Sequence, residues 1–341
     1  MTNETHQTDV IIVGAGPVGL FAVFECGMLK MRCHVVDALP QVGGQCSALY
    51  PEKPIFDIPG HPSITGQGLV DNLVDQARPF EPVYHLNQQA VSLTRIDDDG
   101  WRLETSIGTI IEGKAVIVAA GVGAFGPNRP PMQGLELYEN QGVGVGIHYM
   151  VGRREDFRDK KVVIAGGGDS AVDWAVSLCD VASSVAIVHR RAKFRAAPES
   201  AQRLQELADA GKIDLVVPYQ LGHLEGENGV LKSVVVKDLD GNERALEADA
   251  LLPFYGLSQN LGPIHDWGLS LENNHVHVDQ STCNAGPEGI LAIGDIITYP
   301  GKIKLILTGF AEAATASHSA FGAVFPGQAL HFEYSTSKGV P

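Results

Sequence analysis

Short unbroken apolar runs recur along the chain, and most of them end in glycine or at a polar turn. Val10–Val13, Cys33–Val36, Val116–Ala120, Val162–Ala165, Val185–Val188 and Ile290–Ile293 are the clearest. Runs this short, apolar without alternation, predict strands covered on both faces, as in a parallel sheet. Between them lie longer stretches of helical character, Leu20–Leu29 and Ala171–Cys179. A strand, a glycine turn, a helix and a second strand, used more than once, predict an α/β protein.

The first such unit reads Asp9-Val-Ile-Ile-Val-Gly14-Ala-Gly16-Pro17-Val-Gly19, then helix, then Cys33-His-Val-Val-Asp37. Each glycine has a separate task. Gly14 permits a tight turn, Gly16 lets the backbone approach a pyrophosphate, and Gly19 allows the helix to pack closely on the strand. The free N–H groups at the helix start favour an anion. Asp37 stands 23 residues after Gly14 and can accept hydrogen bonds from the two ribose hydroxyls of an adenosine.

The arrangement returns at Lys161-Val-Val-Ile-Ala-Gly166-Gly-Gly168-Asp169-Ser170-Ala171. Here the strand Ser184–Val188 ends in His189-Arg190-Arg191, with His189 again 23 residues after the first glycine. An acid at this place selects the free 2′-hydroxyl of NAD; two arginines instead suit the 2′-phosphate of NADP(H). Arg195 can add to the same phosphate pocket. Two further strand ends are shaped for a cofactor. Val116-Ile-Val-Ala-Ala-Gly121 finishes in small residues, and Gly289-Ile-Leu-Ala-Ile-Gly294-Asp295 places a carboxylate where ligands of open α/β sheets gather. One acidic and one basic site in series fit a flavoprotein that carries FAD first and uses NADP(H) second, with Asp295 holding ribityl hydroxyls.

Composition narrows the class. At 341 residues the chain suits two domains. A net charge of −15 disfavours nucleic acid and anionic membranes as partners. An acidic protein partner would need a local basic patch, for which Arg153, Arg154, Arg158, Lys160, Lys161, Lys302 and Lys304 are candidates. The five cysteines are scattered, with neither C-x-x-C nor zinc-ligand spacing, so no metal site is expected and a reducing, cytoplasmic setting is. The polar first residues do not read as a signal peptide, and no apolar stretch is long enough to span a membrane.

Gly14-Ala-Gly16-Pro-Val-Gly19, Gly43-Gly44-Gln45, Ala120-Gly121, Gly166-Gly-Gly168-Asp-Ser-Ala171, His189-Arg190-Arg191 and Gly294-Asp295 resemble, in this order, the thioredoxin reductase family. The resemblance covers nearly the whole chain. It implies two Rossmann-like, three-layer domains, the NADPH domain inserted into a discontinuous FAD domain. FAD would take 1–123 and 256–341, leaving 124–255 for NADP(H). One element of that family is missing: before the second glycine motif stands His148-Tyr149-Met150-Val151-Gly152-Arg153-Arg154, where thioredoxin reductases carry a redox-active C-x-x-C. Without an attacking thiolate and its resolving partner, thiol–disulfide exchange by that route is excluded. Cys46, although next to Gly43-Gly44-Gln45, has no neighbouring thiol and reads as packing.

The closer resemblance is to the thioredoxin-reductase-like ferredoxin–NADP⁺ reductases. It rests on Gly43-Gly-Gln-Cys-Ser-Ala-Leu-Tyr50-Pro-Glu-Lys-Pro, Ala119-Ala-Gly-Val-Gly-Ala-Phe125-Gly-Pro and the chain's end. It implies that Tyr50 stacks on one flavin face and that Gln45, Phe125 and the backbone at Ala90 line the same cofactor. It places a helix from Lys302 beneath the flavin. From about 326 a tail would cover the other face, with Tyr334 as the stacked ring and Ser335 or Thr336 supplying a hydroxyl. The implied reaction passes a hydride from NADPH to flavin N5 and then single electrons to ferredoxin, with no catalytic acid, base or metal required. The family also implies a homodimer. An NADPH diaphorase, or a flavodoxin or quinone reductase on the same scaffold, is the alternative, and a non-enzymatic FAD-binding sensor the more distant one.

Overall fold

A computed structural model describes residues 5–96, 100–123, 126–258, 260–330 and 339. The chain divides into two compact units, Met1–Phe125 with Gln259–Pro341, and Gly126–Ser258. Ten strands build their two central sheets: β1 (Val10–Val13), β2 (Cys33–Val36), β3 (Val83–His85), β4 (Ala115–Val118), β5 (Gly146–Ile147), β6 (Lys161–Ala165), β7 (Ser184–Val188), β8 (Asp214–Val216), β9 (Ala250–Pro253) and β10 (Ile290–Ala292). Six helices accompany them: α1 (Pro17–Met28), α2 (Gly44–Leu49), α3 (Gly66–Ala77), α4 (Asp169–Leu178), α5 (Pro198–Asp209) and α6 (Ile306–Val324).

The first unit's sheet runs β10-β4-β1-β2-β3 and is parallel throughout. The second unit's runs β5-β9-β6-β7-β8, also parallel throughout. Both sheets are covered on two sides, which explains the unbroken apolar runs. In the first unit, alternate residues of the strands pack against α1 and α6 on one face. The other face packs against a four-stranded sheet that includes residues 90–96 and 100–105. In the second unit α4 and α5 cover one face, and an antiparallel sheet of residues 220–227, 230–237 and 243–247 covers the other. Each unit is thus a three-layer α/β sandwich.

The helices start where the glycines allow. α1 begins at Pro17 rather than Leu20, and α4 at Asp169 rather than Ala171. Proline is tolerated in a first turn because its missing N–H would find no partner inside the helix anyway. α6 begins only at Ile306, so Lys302–Leu305, expected in a helix, form its approach instead.

Candidate functional site

In the first unit the strand order changes direction between β1 and β4, and the crevice outside their carboxyl ends is where open α/β sheets bind ligands. A cavity of about 320 Å³ opens there. Its wall includes Gly14, Gly16, Pro17, Asp37, Gly44, Gln45, Tyr50, Ala90, Gly121 and Asp295. These residues come from six separate segments, so the fold gathers into one cavity what is dispersed along the chain. Gly19 lies outside the wall: a Cβ there would strike the Gly14 carbonyl oxygen, so its role is helix–strand packing. Phe125, Tyr334, Ser335 and Thr336 fall outside the described residues.

The turn after β1 needs its glycines. Gly14 sits at φ +112°, and a Cβ would run into the Ala119 carbonyl at the end of β4. A Cβ on Gly44 would lie 3.0 Å from the Gly16 Cα. Two backbone segments therefore approach each other closely, and both glycines stand on the cavity wall. The α1 N-cap, Gly16, has no side-chain cap bond, whereas Thr65 at the start of α3 accepts from the Gly68 N–H at 3.0 Å. An uncapped, cavity-facing helix start offers its donors to an anion.

Asp37 closes the turn. Its Oδ2 accepts from the Ala15 N–H at 2.6 Å and its Oδ1 from the Leu39 N–H at 2.8 Å. Burial pushes this carboxyl up, and the two backbone donors pull it back. At the other end of the cavity the Cys46 thiol donates to the Tyr50 hydroxyl at 3.5 Å, and burial raises the pKa of both. Asp295 follows the left-handed Gly294 (φ +81°) and lines the cavity. The sequence pattern did not point to Gln88 and Gln89, which also line the cavity. They lie just beyond the end of β3, after Leu86 and Asn87, and the Gln88 N–H donates to the Asp37 carbonyl at 3.0 Å. Position just beyond the carboxyl end of a strand was the available signal.

The second unit repeats the turn with different chemistry. Gly166 approaches the Phe254 carbonyl closely, and space around Gly168, the uncapped N-cap of α4, is open. The Asp169 carboxylate accepts from the Ala197 N–H at 2.8 Å and so ties the loop carrying Arg195 to the helix start. Ser170 is exposed beside it. His189 is buried, its ring lies flat against Gly167, and its Nε2 finds no partner among the described residues. Burial, and then Arg195, Arg190 and Arg191, lower its pKa. Those three arginines are exposed, and none is paired with a carboxylate among the described residues. Arg32, Arg102, Arg129, Arg153, Arg158 and Arg244, by contrast, each sit against an acid. In a chain of net charge −15, these are three neighbouring arginines left uncompensated among the described residues, a local excess of positive charge.

The suggested docking cations fare differently. Lys302 is no surface charge: its ammonium contacts Glu312 at 2.5 Å, with the two side chains 5% and 7% exposed. Arg153 is paired with Asp156, Arg158 with Glu155 and Lys161 with Glu247. All five cysteines are free thiols, and Cys179 is the only one in the second unit. Among the described residues no helix is long and apolar enough to cross a membrane, and no group of His, Cys, Asp or Glu could hold a metal ion.

Comparison with known proteins places the chain in a family. The family described as pyridine nucleotide-disulphide oxidoreductase matches residues 8–319. A ferredoxin–NADP reductase of Paramagnetospirillum magneticum is 62% identical over 98% of this chain and 98% of its own length. One from Rhodospirillum rubrum is 61% identical over 98% and 97%. Among solved structures, Lactococcus lactis thioredoxin reductase superposes with a TM-score of 0.78 at 24% identity, over 93% of this chain and 99% of that one. At that identity the likeness is one of fold.

Proposed function

Because the chain belongs to the pyridine nucleotide-disulphide oxidoreductase family and, within it, to the thioredoxin-reductase-like ferredoxin–NADP reductases, we propose that it exchanges electrons between NADP(H) and ferredoxin through FAD. The observation that carries the reading is the pairing of two glycine turns of opposite charge, one ending in Asp37 and one in three uncompensated arginines. Bound FAD supplies the hydride acceptor at N5 and returns the electrons one at a time; that chemistry is the cofactor's own.

The protein's part is to bind and orient. Gly14, Gly16 and Pro17 leave room for the pyrophosphate of FAD at the start of α1, Asp37 takes the adenosine ribose, and Asp295 the ribityl hydroxyls. Gly44, Gln45, Tyr50, Ala90 and Gly121 shape the remainder of the cavity, with the Tyr50 ring against the flavin and its hydroxyl held by Cys46. Gly166, Gly168, Asp169 and Ser170 receive the pyrophosphate of NADP(H), and His189, Arg190, Arg191 and Arg195 its 2′-phosphate. The family resemblance assigns Tyr334, Ser335 and Thr336, which lie outside the described residues, to the second flavin face. Deleting 331–341 is expected to change the rate of hydride transfer while FAD stays bound; unchanged kinetics would remove the tail from the mechanism. The chain works as a homodimer in the cytoplasm; sedimentation of the purified holoenzyme tests the first and cell fractionation the second.

With most of the suggested cations paired, docking of an acidic ferredoxin has few free charges to use, and ionic strength reads this out directly. The deciding assay is NADPH-dependent reduction of cytochrome c with and without added ferredoxin. A strict requirement for ferredoxin supports the proposal. Equal rates without it identify a general diaphorase, and preference for a flavodoxin or quinone names the alternative acceptor.

A further inference from the structure

One buried acid belongs to neither glycine turn. Glu312, 6% exposed, points inward from α6. Its Oε2 accepts from the Gly294 N–H at 2.8 Å, and its Oε1 from the Tyr299 hydroxyl at 2.8 Å and the Lys302 ammonium at 2.5 Å. Lys302 and Tyr299 are themselves buried. The N–H of the preceding residue, Ile293, is taken in the ordinary way by a backbone carbonyl, that of Val118, at 2.9 Å. At Gly294 a side chain does this work.

A buried ion pair is a poor route to stability, because desolvating both charges offsets most of their attraction. What three convergent donors on one carboxylate do supply is direction. Gly294 is in the left-handed region at φ +81°, between the fully buried Ile293 and Ile296. The peptide that Glu312 grips is therefore the one that aims Asp295 into the cavity. Glu312, Lys302 and Tyr299 are not part of the cavity wall, whereas Gly294 and Asp295 are.

We propose that Glu312 is a positioning residue for the dinucleotide cavity: held by Lys302 and Tyr299, it fixes the Gly294 peptide so that the Asp295 carboxylate faces the bound cofactor. The inference rests on the reading of this cavity as the FAD site. It assigns to Lys302 a role opposite to that of a docking cation.

The test is a double-mutant cycle on FAD affinity, with D295N, E312Q and the double variant prepared from the full chain and titrated as apoprotein with FAD. If Glu312 acts through Asp295, each single change weakens FAD by about tenfold and the double by no more than about twofold beyond the stronger single. Losses that multiply to about a hundredfold would mean independent action and would overturn the inference. V276A, a cavity-forming change in the core of the same unit, controls for stability alone. It should lower Tm while leaving FAD affinity as in the wild type, and an equal loss of affinity at equal Tm sinks the positioning role. Should E312Q fail to accumulate, Y299F replaces it in the cycle, with about threefold weakening and the same non-additivity expected. A loss in D295N without any in E312Q or Y299F overturns this inference and leaves the FAD reading standing. No loss in D295N overturns both.

Discussion

The two glycine turns share a backbone and differ in what ends the second strand. After β2, Asp37 is drawn into its own turn, holding the Ala15 and Leu39 N–H groups. After β7, His189 is buried with one nitrogen unpartnered, and Arg190, Arg191 and Arg195 stay in solvent. The first turn is complete in itself and needs only neutral donors from a ligand. The second carries excess positive charge and is completed only by an anion. On the proposed reading one fold unit serves two nucleotides, and the discriminating element is the charge and satisfaction of a few side chains at the strand end.

The contrast can be broken most severely at the glycines. At Gly14 a methyl group meets the Ala119 backbone in a left-handed conformation, so G14A is expected to lose roughly 3 kcal/mol or more and to purify without flavin. At Gly168 nothing lies within 4 Å, so G168A should keep its flavin and its Tm. Flavin absorbance per protein, with thermal unfolding, checks both. Next in size, R190Q with R191Q should raise KM for NADPH about a hundredfold, with KM for NADH and FAD content unchanged. An equal rise for both nucleotides would show that the arginines do not read the 2′-phosphate.

D37N removes one of the two charge-assisted acceptors in the first turn and should weaken FAD by about tenfold. NADPH affinity should not move; a matching loss there would erase the distinction between the turns. Smaller effects concern the histidines. His34 on β2 lies 3.0 Å from His85, with His6 and Arg32 close by, and burial, His85, His6 and Arg32 lower its pKa to about 4. Below the ordinary histidine value of 6.5 the unfolded chain takes up this proton and the folded chain does not until about pH 4. Stability from this site is thus present above pH 6.5 and lost as pH falls toward 4. Tm should fall across that window, and H34N should flatten the fall. In the second unit the NMR titration of His189 should shift upward when 2′,5′-ADP is added, because its phosphates screen the three arginines. 5′-AMP should have much less effect.

Much of this arrangement was legible in the chain because it depends on local sequence. Strand, glycine turn, helix and strand lie within about thirty consecutive residues, and each glycine answers to sterics set by near neighbours. The exchange of Asp37 for His189-Arg190-Arg191 is likewise a local substitution at a known place in a repeated unit. Lys302 shows where such reading fails. In the sequence it is one cation among several near a chain turn. Its partner, Glu312, is ten residues away and on a helix whose first turn starts later than the pattern suggested.

The pair of α/β units, the character of each strand end and the lack of a C-x-x-C before the second glycine motif are all written in residue type and spacing. Tertiary structure alone decided which side chains share a space. It brought Asp37, Gln88, Tyr50 and Asp295 to one cavity, left three arginines without acids among the described residues, and turned Lys302 inward onto Glu312. The physical reason is that burial and pairing belong to distances between segments, and no periodicity along one segment encodes them.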